Sequence, residues 1–513
     1  MRAKLLRFGW PAVYVAIAVG FLGLVGRYHH SIYGFTSFFQ LDAAEERKML
    51  PAMHELPVYV YRDAGGYDGM FYAQLSLSPT LRDPALPVAM DSFAYRARRM
   101  LGSWIAWLVG AGDNERALDA YALLNPACWL VLAILLLGIF PPRSAHDAVA
   151  WSGLLLSAGV LCSVRLALTD LPALVLVVAA MLALQRGRNG WATGLLATAA
   201  LARETVLSAG FALVDKKLGR SAARLALVGL PLLAWCGYVW RVAGPNEPGI
   251  GNFAWPGTAL LEKWSACLGD FPNRQYPWVP WLTLATLIGT TVQLVWILAR
   301  PQWGNIWWRA AAGYALLALC LGAAPWAGYP GAAARVLLVL HLAFNVLVPR
   351  TRWGLVLLVA GNLSLFCGLE QMLNVPLDQQ ELAAARLDGT SYFVRPGEGC
   401  HGLEHRGSHR WCWTDGHATI RVLSVSQPAV ATVHVSFNLT GFFPQKVTVQ
   451  RGATVLWSGL VTGKHVVVDL AVTGVTPAGV NLVLTSARPP RLESAEANAR
   501  RIAFAIGDVR ISR

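Results

Sequence analysis

Asp68 lies in the run Gly66-Tyr67-Asp68-Gly69-Met70-Phe71-Tyr72-Ala73-Gln74-Leu75, which sets one carboxylate between two tyrosines. At a membrane surface such a carboxylate can take a proton from an acceptor hydroxyl while a phosphate leaves an activated donor. Tyr72 follows one helical turn on, toward the same side, and Gln74 completes the polar set. Asp68 has a second available role, as N-cap of the helix expected over residues 67–78 and stopped by Pro79, because Asp is a common cap. Both roles can hold together, since a capping carboxylate beside a cavity still meets solvent. Asp42, Asp63 and Asp91 belong to the same loop and compete for the role of base.

Arginine is the other chemistry-bearing type. Tyr95, Arg96, Arg98 and Arg99 closely follow Asp91; clustered guanidiniums clamp a phosphate or diphosphate, or anchor a helix end among lipid headgroups. Arg165, Asp170, Arg203, Glu204 and Arg335 fall in or beside apolar segments. A central Arg costs ~2.5–3.5 kcal/mol on insertion scales, so these groups are expected to face a cavity or a partner. A purely structural ion-pair network is the alternative. Arg203 and Glu204 are adjacent, point in different directions, and therefore call for separate partners. Further on, His401, His405 and His409 raise the question of zinc, but their spacing fits no standard site and the glycines among them oppose a helix. A Cys400–Cys412 disulfide is the expectation if this part is exported, worth ~3 kcal/mol in the chain-entropy model. Trp411 and Trp413 alternate and so share one sheet face, where they could stack on a sugar ring or pack at an edge.

These groups need a scaffold, and the composition indicates its kind. Of 513 residues, 55% are hydrophobic and only 14% charged, too apolar for a soluble globular surface. The net charge of +14 is scattered in short clusters, which suits loops against an anionic leaflet and offers no nucleic-acid-like block. Basic residues ahead of the first apolar run, 8–26, keep the N-terminus cytoplasmic as a retained anchor and put the long loop 27–99 outside. Residues 100–110 read as interfacial or re-entrant. Residues 191–214 read as a hairpin broken near Arg203-Glu204, which returns the Lys216-Lys217 cluster to the cytoplasm. With the remaining apolar segments the pattern gives about eleven crossings in a membrane domain over 1–377. After Asp378 short alternating runs separated by turn residues announce strands, so 378–513 is expected to be a periplasmic all-β sandwich. Cys128, Cys162, Cys236, Cys320 and Cys367 sit in apolar segments as small hydrophobes.

Taken in order, the stretches 66–75, 90–99, 168–172 and 201–205 resemble motifs of bacterial GT-C glycosyltransferases, polytopic α-helical membrane proteins that use a sugar on a polyprenyl phosphate. The resemblance spans about residues 8–373. It implies an inverting transferase of the bacterial inner membrane that moves a sugar, on the periplasmic side, to a cell-surface glycan or lipid acceptor. Asp68 would be the loop carboxylate acting as base. Arg96, Arg99, Arg203 and Arg335 would meet the lipid phosphate, in a substrate site shared with Tyr72, Gln74, Asp91, Tyr95, Asp170 and Glu204. No Asp-x-Asp pair adjoins Asp68, so a divalent cation is optional rather than implied. The sandwich resembles domains attached to such transferases, with Glu404, Trp411 and Trp413 at an aromatic-rich opening suited to glycan. A glycolipid transporter or flippase and a non-catalytic glycan-assembly partner are the competing classes; the inverted repeats common in transporters are not evident in the sequence.

Overall fold

The computed structural model describes residues 2–513 except 31–32, 43–44, 46–47, 55, 62–64, 245–249, 272–275, 330, 376–380, 407–408, 425–431, 477 and 495–498. The chain forms two compact units, one of Met1–His29 with Tyr67–Val375, the other of His30–Gly66 with Pro376–Arg513. The loop 27–99, expected to lie whole in the membrane domain, is thus divided at its middle.

The first unit is helical. Five helical stretches are long and apolar enough to cross a membrane: Gly9–Gly26, Asn114–Leu137, Ala145–Arg165, Leu218–Ala243 and Val279–Ala299. A sixth arises if Arg352–Gly361 and Leu365–Leu373, bent by 41°, count as one. This is fewer than the eleven crossings expected from hydropathy. The difference lies in segments such as Asp170–Gln185 and Leu338–Leu347, which form helices of 16 and 10 residues, short of the ~20 a straight crossing needs. Burial grades the long helices. Gly9–Gly26 and Leu218–Ala243 each bury 17% of their apolar window, whereas Ala145–Arg165 buries 83%. Glycines permit the closest approaches there. A Cβ on Gly368 would stand 2.3 Å from the Leu156 carbonyl, and one on Gly159 would stand 2.3 Å from the Ala334 carbonyl.

The second unit is a sandwich. A short parallel pair, β1 (Leu41–Asp42) and β2 (Val60–Tyr61), precedes it in sequence. The sandwich proper begins with β3 (Ala383–Leu387), β4 (Thr390–Pro396), β5 (Cys400–Arg406), β6 (His409–Thr414), β7 (His417–Ser424) and β8 (Thr432–Gly441). It continues with β9 (Gln445–Arg451), β10 (Thr454–Val461), β11 (Val466–Thr473), β12 (Val480–Ser486), β13 (Arg491–Leu492), β14 (Arg501–Ile502) and β15 (Phe504–Ser512). One sheet runs β10-β9-β12-β7-β4-β3 and the other β11-β8-β15-β6-β5. Strict alternation sends Val433, Val435, Phe437 and Leu439 of β8 inward to meet Val447, Val449, Leu482 and Leu484 in one core. Phe393 and Leu423, paired across β4 and β7, face the other way. There they pack with Tyr33, Tyr59 and Tyr61 from the His30–Gly66 segment.

Candidate functional site

Tyr67, extended at φ −138° and ψ 170°, occupies the N-cap position of the Asp68–Leu75 helix and makes no side-chain capping bond. Asp68 is therefore the first helical residue and not the cap, although its charge still suits the positive end of the helix dipole. A second short helix, Phe93–Ala97, delivers Arg96 to it. Arg96 Nη1 lies 2.9 Å from Asp68 Oδ2. Its Nε and Nη2 lie 3.0 and 2.7 Å from the two oxygens of Asp91. Burial alone would lower the Arg96 pKa, but hydrogen bonding to Asp91 and the charges around it hold the pKa above its ordinary value. Phe71, Tyr72 and Tyr95 present ring faces to the same guanidinium at 5.1–5.9 Å.

One turn after Tyr95, Arg99 reaches the other way. It makes a two-pronged contact with Glu204, at 2.8 Å from Nε and 2.6 Å from Nη2. It also donates to the Tyr72 and Tyr95 hydroxyls, each at 2.8 Å. Glu204 is available because the chain breaks beside it. The Asn189–Ala202 helix ends at Arg203, which is extended at φ −156° and ψ 124°, and a 3₁₀ helix, Glu204–Leu213, follows. An extended residue sends neighbouring side chains apart, so Glu204 goes to Arg99 and Arg203 goes to Asp170. Arg203 Nη1 is 2.7 Å from Asp170 Oδ1. Arg335, in Ala333–Val336, holds the other oxygen at 3.3 Å and donates to the Tyr67 hydroxyl at 2.9 Å. Burial raises the Tyr67 phenol above its ordinary pKa, with Arg335 opposing, which keeps its proton in place.

One connected cluster thus holds Asp68, Tyr72, Asp91, Tyr95, Arg96, Arg99, Asp170, Arg203, Glu204 and Arg335, and its charge is polarised. At the Asp68 end one guanidinium serves two carboxylates. At the Asp170 end two guanidiniums serve one carboxylate. Tyr67, next to Asp68 in the chain and bonded to Arg335, joins the ends. The carboxylate-rich end meets solvent, with the Asp68 and Asp91 side chains 27% and 36% exposed. The guanidinium-rich end lines a half-open pocket of about 20 Å³ bordered by Asp170, Arg203, Thr205, Tyr314 and Arg335. Among the described residues Arg203 Nε finds no acceptor, so this end holds a buried donor in reserve. Chemically, the carboxylate-rich end can accept a proton and the guanidinium-rich end can stabilise an anion.

Other expected residues stand elsewhere. Gln74 is fully buried, with its amide turned to the Ala89 carbonyl at 3.5 Å. Asp42 lies in β1 of the sandwich unit, and Asp63 lies outside the described residues. Cys400 and Cys412 are thiols and not a disulfide. The β5–β6 register sets Cys400 opposite Thr414 and Cys412 opposite Leu403, and an offset of two rungs exceeds disulfide reach. His401 bonds the Arg501 carbonyl and His409 meets Asp508, while the His405 side chain lies outside the described residues. Among the described residues no three His, Cys, Asp or Glu side chains gather as a metal site requires. Glu404 accepts from Trp411 Nε1 at 3.1 Å and from Arg500 at 2.6 Å. Tyr67 and Tyr314 enter the site without having been expected there. Adjacency to Asp68 is the only signal for Tyr67, and none marks Tyr314 inside the apolar Ile306–Cys320 helix.

No family model matches the chain, and no curated protein does. A solved structure titled "CBM4 structure and function" aligns with 24% of this chain and 86% of that one, at 10% identity and a TM-score of 0.15. At that TM-score the likeness carries no argument.

Proposed function

We propose that the protein is a membrane glycosyltransferase that moves a sugar from a polyprenyl-phosphate donor to a cell-surface glycan or lipid acceptor. The observation that carries this reading is the charge polarity of the cluster, with a solvent-facing pair of carboxylates joined through Tyr67 to a buried surplus of guanidinium. Asp68 takes the acceptor hydroxyl proton, the oxygen attacks the anomeric carbon, and the bond from that carbon to the phosphate oxygen breaks with inversion. The departing phosphate gains negative charge, which Arg203 and Arg335 are placed to stabilise. Arg96 occupies only Oδ2 of Asp68, and the two-pronged grip of Asp91 holds it back from the other oxygen. A GT-C-like arrangement with about eleven crossings, the shorter apolar helices counted with the long ones, an inner-membrane location and a periplasmic sandwich belong to the same proposal.

Transfer from polyprenyl-phosphate sugars in proteoliposomes tests it. The wild-type protein is expected to turn over, and Asp68→Asn to lose at least about 10²-fold in rate. Undiminished transfer by the variant would remove Asp68 as base. Failure of the wild type with every lipid-linked donor, together with movement of glycolipid between leaflets, would favour a flippase.

A further inference from the structure

We infer that the outer face of the five-stranded sheet binds an oligosaccharide in a trough between β6 and β8, whatever reaction the helical unit runs. Trp411 and Trp413 flank Cys412, which is fully buried in the core, so both indoles stand on the opposite face, partly exposed. The neighbouring strand β15 sets the two smallest side chains beside them: Gly507 pairs with Trp411 and Ala505 with Trp413. Beyond these, β8 sets Asn438 against Gly507 and Thr440 against Ala505. Two successive rungs therefore read aromatic, small, polar across three strands. With strands 4.7–4.9 Å apart, β6 and β8 stand about 9.5 Å apart, and since Ala505 and Gly507 between them are themselves buried, the ligand rests on the partly exposed indoles rather than on the floor.

The walls are held in place. Trp411 Nε1 donates to Glu404, which is in turn gripped by Arg500, so Glu404 orients the ring and is not itself the ligand contact. Trp413 rests edge-on against Phe442 at 5.9 Å between centroids, and Phe442 is 41% exposed. Opposite, Asn438 Nδ2 bonds Asp508 at 3.2 Å and Thr440 bonds His465 at 2.7 Å. Charge then selects the occupant. The nearby carboxylates are already engaged, Glu404 and Glu493 by Arg500 and Asp508 by the Asn438 amide and the His409 ring, so the trough offers flat π surface on one side and amide and hydroxyl groups on the other. That complements a sugar ring, whose C–H face suits an indole and whose hydroxyls suit Asn438 and Thr440. Indoles two residues apart lie about 6.8 Å from each other along the strand, which calls for at least two consecutive rings. The other sheet has no such opening over β4 and β7, where Tyr33, Tyr59 and Tyr61 cover Phe393 and Leu423.

The test uses the full chain in detergent on an array of neutral and acidic oligosaccharides of four or more residues. Retention of at least one neutral glycan is expected, weakened about ten-fold or more by Trp411→Ala and by Trp413→Ala. Asn438→Ala, which leaves the aromatic wall intact, is expected to weaken it as well. Equal thermal unfolding of variants and wild type would confirm that folding is preserved. Silence across the whole array, binding to acidic glycans alone, or retention unchanged in all three variants would overturn the inference.

Discussion

Arg99 engages every edge of its guanidinium, with two bonds to Glu204 and one each to Tyr72 and Tyr95. Arg99 is buried and Glu204 only 29% exposed, so removing one member of the pair leaves the other charge poorly compensated. Arg99→Gln is therefore expected to cost roughly 2–3 kcal/mol of stability, between the values for buried and exposed pairs, with a large part recovered in the double variant Arg99→Gln/Glu204→Gln. A double-mutant cycle on unfolding in detergent measures the coupling, and strictly additive losses would show that the two do not act as a pair. Glu381 carries a different consequence. It is buried, accepts from the Tyr33 hydroxyl and lies 3.5 Å from Arg395 Nε. Burial outweighs Arg395 and pushes its carboxyl from 4.5 up to about 7. The folded chain thus keeps a proton that the unfolded chain releases, so stability is full at low pH, falls as pH rises from 4.5 through 7, and then levels off. The fall is roughly 3 kcal/mol. Amide exchange of β4 across that range should record it, and Glu381→Gln should flatten the profile; parallel profiles would sink the assignment. Asp68, Asp91 and the arginines are legible in the sequence because charge is scarce in so apolar a chain. Glu381 is not, since nothing local marks a carboxylate that tertiary packing folds inward.

Among the elements, the break at Arg203 does most to shape the site, because an unbroken helix could not send Arg203 and Glu204 to partners on opposite sides. The sequence signals it through an ion-forming dipeptide inside a greasy run. It does not signal that several apolar runs form helices of only 10–16 residues, since hydropathy cannot distinguish lipid from neighbouring protein as the surroundings of a helix. Helix packing gives a sharper prediction. Gly368→Ala should cost about 1–3 kcal/mol, because the added methyl would meet the backbone at Leu156 and Ser157. Gly229→Ala, with nothing within 4 Å of the new methyl, should be neutral or stabilise by about 0.5–1 kcal/mol. Thermal unfolding of the pair checks this, and equal shifts in both variants would contradict the close packing at Gly368.

For the molecule as a whole, the informative fact is that the sandwich unit is discontinuous in sequence. The strands after 378 are legible from their alternation. The membership of His30–Gly66 is not, because its tyrosines follow no period and their partners Phe393 and Leu423 lie more than 300 residues on. A fragment of residues 376–513 alone should expose that pair, and a peptide of residues 30–66 should raise its Tm, by about 3–5 °C for each kcal/mol of binding. No shift on adding the peptide would mean that the aromatic cluster does not support the sheet. The same discontinuity sets a timetable during synthesis. Tyr33, Tyr59 and Tyr61 leave the ribosome ahead of nearly the whole helical unit, whose Tyr67–Val375 portion must be made before Phe393 exists. At roughly 5–20 residues per second, that is a wait of about 15–60 s. The oldest part of this unit is thus obliged to stay unfinished while the rest of the chain is threaded, so a holding chaperone at this stage should matter more for yield than any step after release.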